Sequence, residues 1–453
     1  MRKQIREYFK GKKIALLGFG KEGRSSLLFL QKLKVDFQVN VYDGKDIALD
    51  NKDKTINVFG GVDFSKIDFS SYDMLLKSPG IPFKKIKKKY HNKIQGQTSL
   101  FLSWYGSQCI GITGTKGKST CTSLTHHLLK ECGVNALIGG NIGTPLFELI
   151  PKLKKNTWVV AELSCHQLFK TSVSPHIAVL LNLYEEHLDY YKNAEEYFRS
   201  KLNVYLHQTP EDYFIYNKDD KRIVEFMKEG GVAKYVSIAL KARTADFKLT
   251  SANELRTNRF RGRDKKVVSP LMGRMNYYNV LPALAVGQLL GLRKAAVFDA
   301  LKNFKPLPHR LELVGKYQGV TFVNDSISTI PETCIAAVKA LGDVDCLILG
   351  GYDRGIDYNL LVDFLIDSKI TNLVFFDRSG ERIFDEIMEK DAGLIDERNT
   401  FVTSDFETCI KFCLDNTRAG KTCLLSPASS SYGIFKNFED RGEQFKELVK
   451  RIG

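Results

Sequence analysis

Residues 108–132, QCIGITGTKGKSTCTSLTHHLLKEC, constrain the fold of this chain more than any other stretch. The run CIGIT has no polar face, so it reads as a strand buried on both sides, and such strands belong to parallel sheets covered by helices. It breaks at Gly114 and Gly117 and then enters a segment of helical composition. Strand, glycine loop and helix together make a phosphate cradle. The glycines let backbone N–H groups curl around an anion, and the helix N-terminus adds its dipole. The usual template asks for a glycine where Ile112 stands, and Gly114 takes its place. Gly114, Thr115, Lys116, Gly117, Lys118, Ser119 and Thr120 are therefore the candidate ATP loop. Lys118 supplies a point charge, and Ser119 or Thr120 a hydroxyl for Mg²⁺. A plain glycine turn before a capped helix is the alternative, and the strand, Gly, Lys and Ser in register weigh against it.

The same alternation recurs along the chain and predicts an α/β protein of three domains. In the first, KIALLGFGKEGRSS is a strand, a turn with glycines at 18, 20 and 23, and a helix. A second strand ends at Asp43, about where a Rossmann unit places an acidic ribose contact. The run DMLLKSPGIP reads as a further strand ending in a turn that contains Gly80. The central block adds the apolar runs TWVVAELS and HIAVLLNLY, and the last adds VDCLILGG, NLVFFD and KTCLLSPAS. Expected boundaries are 1–100 for a Rossmann-like domain, 101–304 for a P-loop ATPase-like domain and 305–453 for a smaller Rossmann-like domain.

At 453 residues the chain is too long for one ordinary core. Its 43% apolar and 26% charged residues are those of a globular protein. The basic N-terminus lacks an apolar segment, and no run is long enough to cross a bilayer, so a cytoplasmic location is expected. A net charge of +15 invites a nucleic-acid partner. The lysines are scattered, however, and KKIKKKY carries no recognition motif, so a phosphate-bearing small substrate is the better expectation. Nine cysteines without a C-x-x-C pair argue against a zinc or disulfide framework, and most sit in apolar runs as small core residues.

Polar groups at strand ends complete the chemistry. Glu162 closes WVVAELS, where open α/β sheets place ligands, and His187 follows IAVLLNLYEE. With the loop they suggest a divalent metal site, although each alone also reads as a solvated strand end or a helix cap. Lys201, by spacing alone, is an exposed helical lysine. HRLE and VNDSIST put Arg310 and Asp325 beside apolar runs, able to meet a nucleotide or to form a salt bridge.

The ordered set GFGKEGRS, SPGIP, GITGTKGKST, GGNIGTP, ELSCHQL, NLYEEHLD, SKLNVY, NYYNVLPALA, HRLE, NDS and SPASSSYGIFKNFEDRGEQF resembles the Mur ligases of peptidoglycan synthesis over nearly the whole chain. The resemblance implies an ATP-dependent ligase that adds D-glutamate to UDP-N-acetylmuramoyl-L-alanine through an acyl phosphate. It further implies that Lys118 holds phosphates and that Ser119 and Glu162 hold one Mg²⁺. His187 and Lys201 would hold a second, with Lys201 carbamylated by CO₂. Asn279 would meet adenine, Arg310 the phosphates and Asp325 the ribose. Gly20, Asp43, Gly80, Asn141 and Ser164 fall at UDP-substrate positions, and Thr329, Arg354, Ser431 and Phe438 at glutamate positions. Arg354 and Ile327 both stand where the family commonly has lysine; Arg354 keeps the charge, and the loss at Ile327 leaves an L-glutamate-adding relative open as an alternative. A catalytically silent scaffold would be expected to lose metal or carbamate residues, and all are present. The resemblance also implies a monomer that binds ATP between its second and third domains, with a hinge expected near 304–307.

Overall fold

The computed structural model describes residues 1–47, 56–185, 190–250, 254–257 and 267–453. Three sheets organise it. The first contains β1 (Lys13–Leu17), β2 (Gln38–Tyr42), β3 (Ile56–Phe59), β4 (Met74–Lys77) and β5 (Ile94–Gln95), in the order β3-β2-β1-β4-β5. All its pairings are parallel.

The second holds β6 (Cys109–Thr113), β7 (Ala136–Gly140), β8 (Trp158–Glu162), β9 (Ile177–Leu180), β10 (Tyr213–Asn217), β11 (Lys234–Ala239), β12 (Phe247–Leu249) and β13 (Leu255–Arg256). Their order is β13-β12-β11-β10-β9-β6-β8-β7, antiparallel only between β12 and β13. The third contains β14 (Glu312–Tyr317), β15 (Val320–Asn324), β16 (Val344–Gly350), β17 (Asn372–Phe376), β18 (Asn399–Thr403) and β19 (Thr422–Leu425). It runs β14-β15-β19-β16-β17-β18, with only the β14–β15 edge antiparallel.

Every residue of β4, β6, β9, β16, β17 and β19 is buried, as suits largely apolar strands covered on both faces. Met1–Val268 with Tyr278–Phe304 forms one compact unit, and Ser269–Tyr277 with Lys305–Gly453 a second. Within the first unit, the first two sheets share a core. The rings of Phe29 and Phe147 meet at 4.3 Å, and Trp104 packs on Phe147 at 5.8 Å. The helix Lys21–Lys32 can lie close to β1 because Gly23 has no Cβ; one there would sit 2.0 Å from the Gly18 carbonyl oxygen. In the second unit alternation sorts the strands. Leu347, Leu349, Leu373 and Phe375 feed one core layer, while Cys346, Ile348, Val374 and Phe376 feed the other.

In the second sheet the chain leaves β6 for β7 on one side and leaves β8 for β9 on the other. That reversal makes a crevice at the carboxyl ends of β6, β8 and β9, the place where open α/β sheets bind ligands.

Candidate active site

The register brings the predicted groups to this crevice. Ile112 pairs with Glu162 and Thr113 with Leu180, so the loop after β6, the end of β8 and the segment after β9 are immediate neighbours. The loop is held open by its surroundings. Asn182 accepts from the Lys116 N–H at 2.8 Å and donates to the Lys116 carbonyl at 3.1 Å. Thr115 Oγ1 accepts from the Tyr184 N–H at 2.9 Å and lies 3.1 Å from the Tyr197 hydroxyl. Lys118 Nζ curls back onto the Thr115 carbonyl at 2.8 Å, across the concavity where a phosphate would lie. Gly117 precedes the helix Lys118–Glu131 at φ +84°, in the left-handed region, and no side chain caps that helix. A helix entered from a glycine loop in this way is a common anion site. A Cβ on Gly117 would lie 2.2 Å from Asn279 Oδ1, which places the predicted adenine contact against the loop.

Glu162 is 1% exposed, which overturns its alternative reading as a solvated strand end. Asn141 fastens it, donating from Nδ2 to Oε1 at 2.6 Å and from its backbone N–H to the Glu162 carbonyl at 2.9 Å. Oε2 is buried and has no hydrogen-bond partner among the described residues. A carboxylate oxygen left in that state fits a metal ligand, because a buried acceptor without a partner is costly. Ser119 stands in the first turn of the helix that follows the loop. The donor set, a carboxylate and a hydroxyl, suits Mg²⁺.

Lys201 corrects the reading from helical spacing. It lies in the helix Ala194–Leu202, begun by the Asn193 cap, yet it is 1% exposed. Its Nζ donates to the Gly114 carbonyl at 3.0 Å and sits 4.7 Å from the Tyr197 ring centroid. Helical periodicity gives the face of a residue, but not what lies beyond that face; here the phosphate loop itself covers the ammonium. His187 lies outside the described residues.

Of the positions expected to meet the UDP substrate, Gly20, Asp43 and Gly80 follow strands of the first sheet, and Asn141 and Ser164 follow β7 and β8 of the second. Asp43 accepts at Oδ2 from the Phe19 N–H at 2.6 Å, pinning the glycine turn. Gly20 and Gly80 are exposed, with open space where a Cβ would be. Ser164 closes a capping box with Gln167, its Oγ accepting from the Gln167 N–H at 3.2 Å. Reading by motif missed two charged neighbours here. Glu22 accepts from Gln167 Nε2 at 3.0 Å, and burial pushes its carboxyl up to about 7. Lys77 is 6% exposed and donates to the Ser78 and Ile81 carbonyls, and burial brings its ammonium down to about 8. Both line a cavity of about 100 Å³ together with Phe83, His91 and His166. The available signal was a lysine ending the apolar run DMLLK.

In the second unit, the loops after β15, β16 and β19 meet. Asp325 is buried and accepts from the Leu311 N–H at 3.1 Å and from Ser426 Oγ at 2.9 Å; desolvation raises its carboxyl to about 6, with Arg310 opposing. Ser431 is buried, whereas Thr329 and Phe438 are half-buried and Arg354 is exposed. Ser326 Oγ donates to the Phe438 carbonyl at 2.8 Å, and the Tyr352 N–H donates to the Ser430 carbonyl at 2.9 Å, so these positions border one another. Arg441, also missed, ties them together. Fully buried, it donates from Nε to Ser326 Oγ at 3.0 Å, and from Nη2 to the Ser326 and Ser429 carbonyls at 2.8 and 3.0 Å.

The Mur ligase middle domain model matches residues 112–287. The UDP-N-acetylmuramoylalanine–D-glutamate ligase of Christiangramia forsetii is 32% identical over 465 residues, covering 98% of this chain and 100% of its own. That of Cytophaga hutchinsonii is 33% identical over 467 residues, covering 96% and 98%. Among solved structures, a MurF ligase from Thermotoga maritima in complex with ADP superposes with a TM-score of 0.60 at 16% identity, covering 99% of this chain and 97% of its own, a likeness of fold. The full-length relatives establish that this chain belongs to the Mur ligase family, in its UDP-N-acetylmuramoylalanine–D-glutamate ligase branch.

Proposed function

We propose that this protein joins D-glutamate to UDP-N-acetylmuramoyl-L-alanine at the expense of ATP, forming an amide, ADP and phosphate. The observation that carries the reading is the meeting of three groups at the ends of β6 and β8: the Lys118 loop, the unpartnered Glu162 Oε2 and the buried Lys201. In this reading the L-alanine carboxylate attacks the γ-phosphorus of ATP, ADP departs, and an acyl phosphate results. The glutamate amine then adds to its carbonyl carbon, and phosphate leaves. The Gly114–Ser119 backbone and Lys118 neutralise the phosphates and keep the transferring group in line. Ser119 and Glu162 would hold one Mg²⁺, and His187 with a carbamylated Lys201 a second. Bound Mg²⁺ supplies charge neutralisation between two reacting anions. A carbamate would turn the buried cation of Lys201 into an anionic oxygen ligand. Asn279, Arg310 and Asp325 are assigned to the nucleotide. Gly20, Asp43, Gly80, Asn141 and Ser164 are assigned to the UDP substrate, and Thr329, Arg354, Ser431 and Phe438 to glutamate. We assign domains at 1–100, 101–304 and 305–453, with the UDP-substrate set shared by the first two and the nucleotide set by the last two, in a monomer.

The test incubates the protein with ATP, Mg²⁺, UDP-N-acetylmuramoyl-L-alanine and either glutamate enantiomer, reading phosphate and product mass. D-Glutamate should give both. Silence with either enantiomer refutes a ligase, and product with L-glutamate alone refutes the amino-acid assignment. Lys201→Ala should abolish turnover, and an unchanged rate would dispose of the carbamate.

A further inference from the structure

Four of the nine cysteines converge in the core of the second unit. Cys346 of β16 pairs in register with Cys423 of β19, so both thiols leave the sheet on the same face. The register shift between Val344 and Cys346 makes that pairing possible, because it leaves Asp345 as the extra residue. The helix Phe406–Asn416 covers this face and presents Cys409 and Cys413, one turn apart. Cys346 Sγ lies 3.5 Å from Cys413 Sγ. The sulfurs of Cys346, Cys413 and Cys423 all fall within 4.8 Å of one another; Cys409, one turn before Cys413 on the same helix, stands outside that group and would have to turn in as a fourth donor. All four are fully buried.

Thiols also pack as small hydrophobic groups, and any one of these would need no other account. The mutual distances separate the cases. Four sulfurs around a tetrahedral Zn²⁺, each about 2.3 Å from the ion, stand about 3.8 Å apart. The three mutually close thiols therefore lie within about 1 Å of a ligand set without any movement of the backbone. A shell of sulfur alone, with no carboxylate or imidazole, selects a soft d¹⁰ ion over Mg²⁺. Full burial of the sulfurs in a mainly apolar layer is the character of a structural site rather than a catalytic one.

We propose that Cys346, Cys413 and Cys423, with Cys409 as the fourth donor, form a structural Zn²⁺ site. Each coordinating thiol gives up its proton to solvent as its Zn–S bond forms, and no electron is transferred. With no solvent path to the sulfurs, the ion enters as the domain folds. The site staples the helix Phe406–Asn416 to β16 and β19, the strands whose following loops carry Tyr352 and Ser429–Ser431.

The test measures metal in the full-length protein purified without chelator from zinc-supplemented cells, by native mass spectrometry and elemental analysis. One equivalent of Zn²⁺ per chain is expected, falling at least tenfold in Cys423→Ala and Cys346→Ala and unchanged in Cys132→Ala, which lies in the other unit. Growth on Co²⁺ in place of zinc needs no variant, and should give the intense visible bands of a tetrahedral cobalt thiolate. Wild-type protein with less than a tenth of an equivalent of zinc and no cobalt bands overturns the proposal, as does zinc retained in both alanine variants.

Discussion

Glu162→Gln tests the assignment of that carboxylate most sharply, because fold and function should respond in opposite directions. In the wild type, Oε1 has its Asn141 hydrogen bond at 2.6 Å while Oε2 is buried without a partner. A buried charge with one oxygen unsatisfied costs several kcal/mol. Glutamine keeps the acceptor for Asn141 and removes the charge, but it leaves a buried amide N–H, at about 1–3 kcal/mol. The balance is a gain of about 1–2 kcal/mol for the variant in EDTA. Magnesium reverses the order. A ligand at a hundred times its Kd stabilises the wild type by about 2.7 kcal/mol and leaves the variant nearly unmoved. The assay is urea unfolding followed by tryptophan fluorescence, since the protein has two tryptophans. Both Trp104 and Trp158 belong to the unit that contains Glu162, so the signal reports that unit. A variant less stable than wild type in EDTA, or one stabilised equally by Mg²⁺ and ATP, would refute the reasoning. Turnover should fall by at least about a hundredfold, the loss of about 2.7 kcal/mol of transition-state stabilisation.

Gly117→Ala should raise the KM for ATP and lower kcat/KM by roughly tenfold to a hundredfold, checked by steady-state kinetics. A left-handed φ costs about 1–2 kcal/mol for a residue with a Cβ, and Asn279 must also move. Arg441→Met should destabilise the second unit by about 3 kcal/mol, because it strands the Ser326 and Ser429 carbonyls; chemical unfolding and the KM for glutamate would both register it. Asp325→Asn should give a pH-dependent gain in stability. Its carboxyl is raised from 3.8 to about 6, so the wild type carries full stability below about pH 4 and loses it as pH rises through 6. By pH 7.5 the loss is about 3 kcal/mol, and the variant's advantage in calorimetry should vanish at pH 4 while its ATP binding weakens at both.

Local chemistry was legible wherever one short segment contains all of it. The strand Cys109–Thr113, its glycine loop and the following helix form a single continuous stretch, and an apolar run that long has one way to be buried. The short edge strands β5, β12 and β13 were not legible, since two or three residues carry no period. Arg441 shows a different limit. It stands in FEDRGEQFKELVKRI, an amphipathic helix in which an arginine reads as solvent-facing, and only the Ser326 and Ser429 loops, from elsewhere in the chain, enclose it. Glu22 escaped for the same reason, because its partner Gln167 is distant in sequence.

Lys77, Glu162, Lys201, Asp325 and Arg441 share one property that joins these cases: each is a charge or potential charge with almost no exposure. Each stands at or just past the carboxyl end of a parallel strand, or is held against a loop that begins there. A strand interior accommodates such groups poorly, since its backbone donors and acceptors are already paired across the sheet; Asp345 in β16 sits at a register shift and is held by Arg418. At strand ends the ladder stops, free carbonyls and N–H groups accumulate, and a buried lysine or arginine finds oxygen partners such as Gly114, Ile81 and Ser429. The carboxylates find fewer. Glu162 keeps one oxygen without a donor, and Asp325 and Glu22 hold their protons more tightly than exposed acids do. Polar ligands that bring cations or hydrogen-bond donors to these carboxylates would relieve that cost as they bind. On the proposed assignment, part of the affinity for metal and nucleotide is stored in the unliganded fold as incomplete solvation, and substitutions that remove it should stabilise the protein as they disable it.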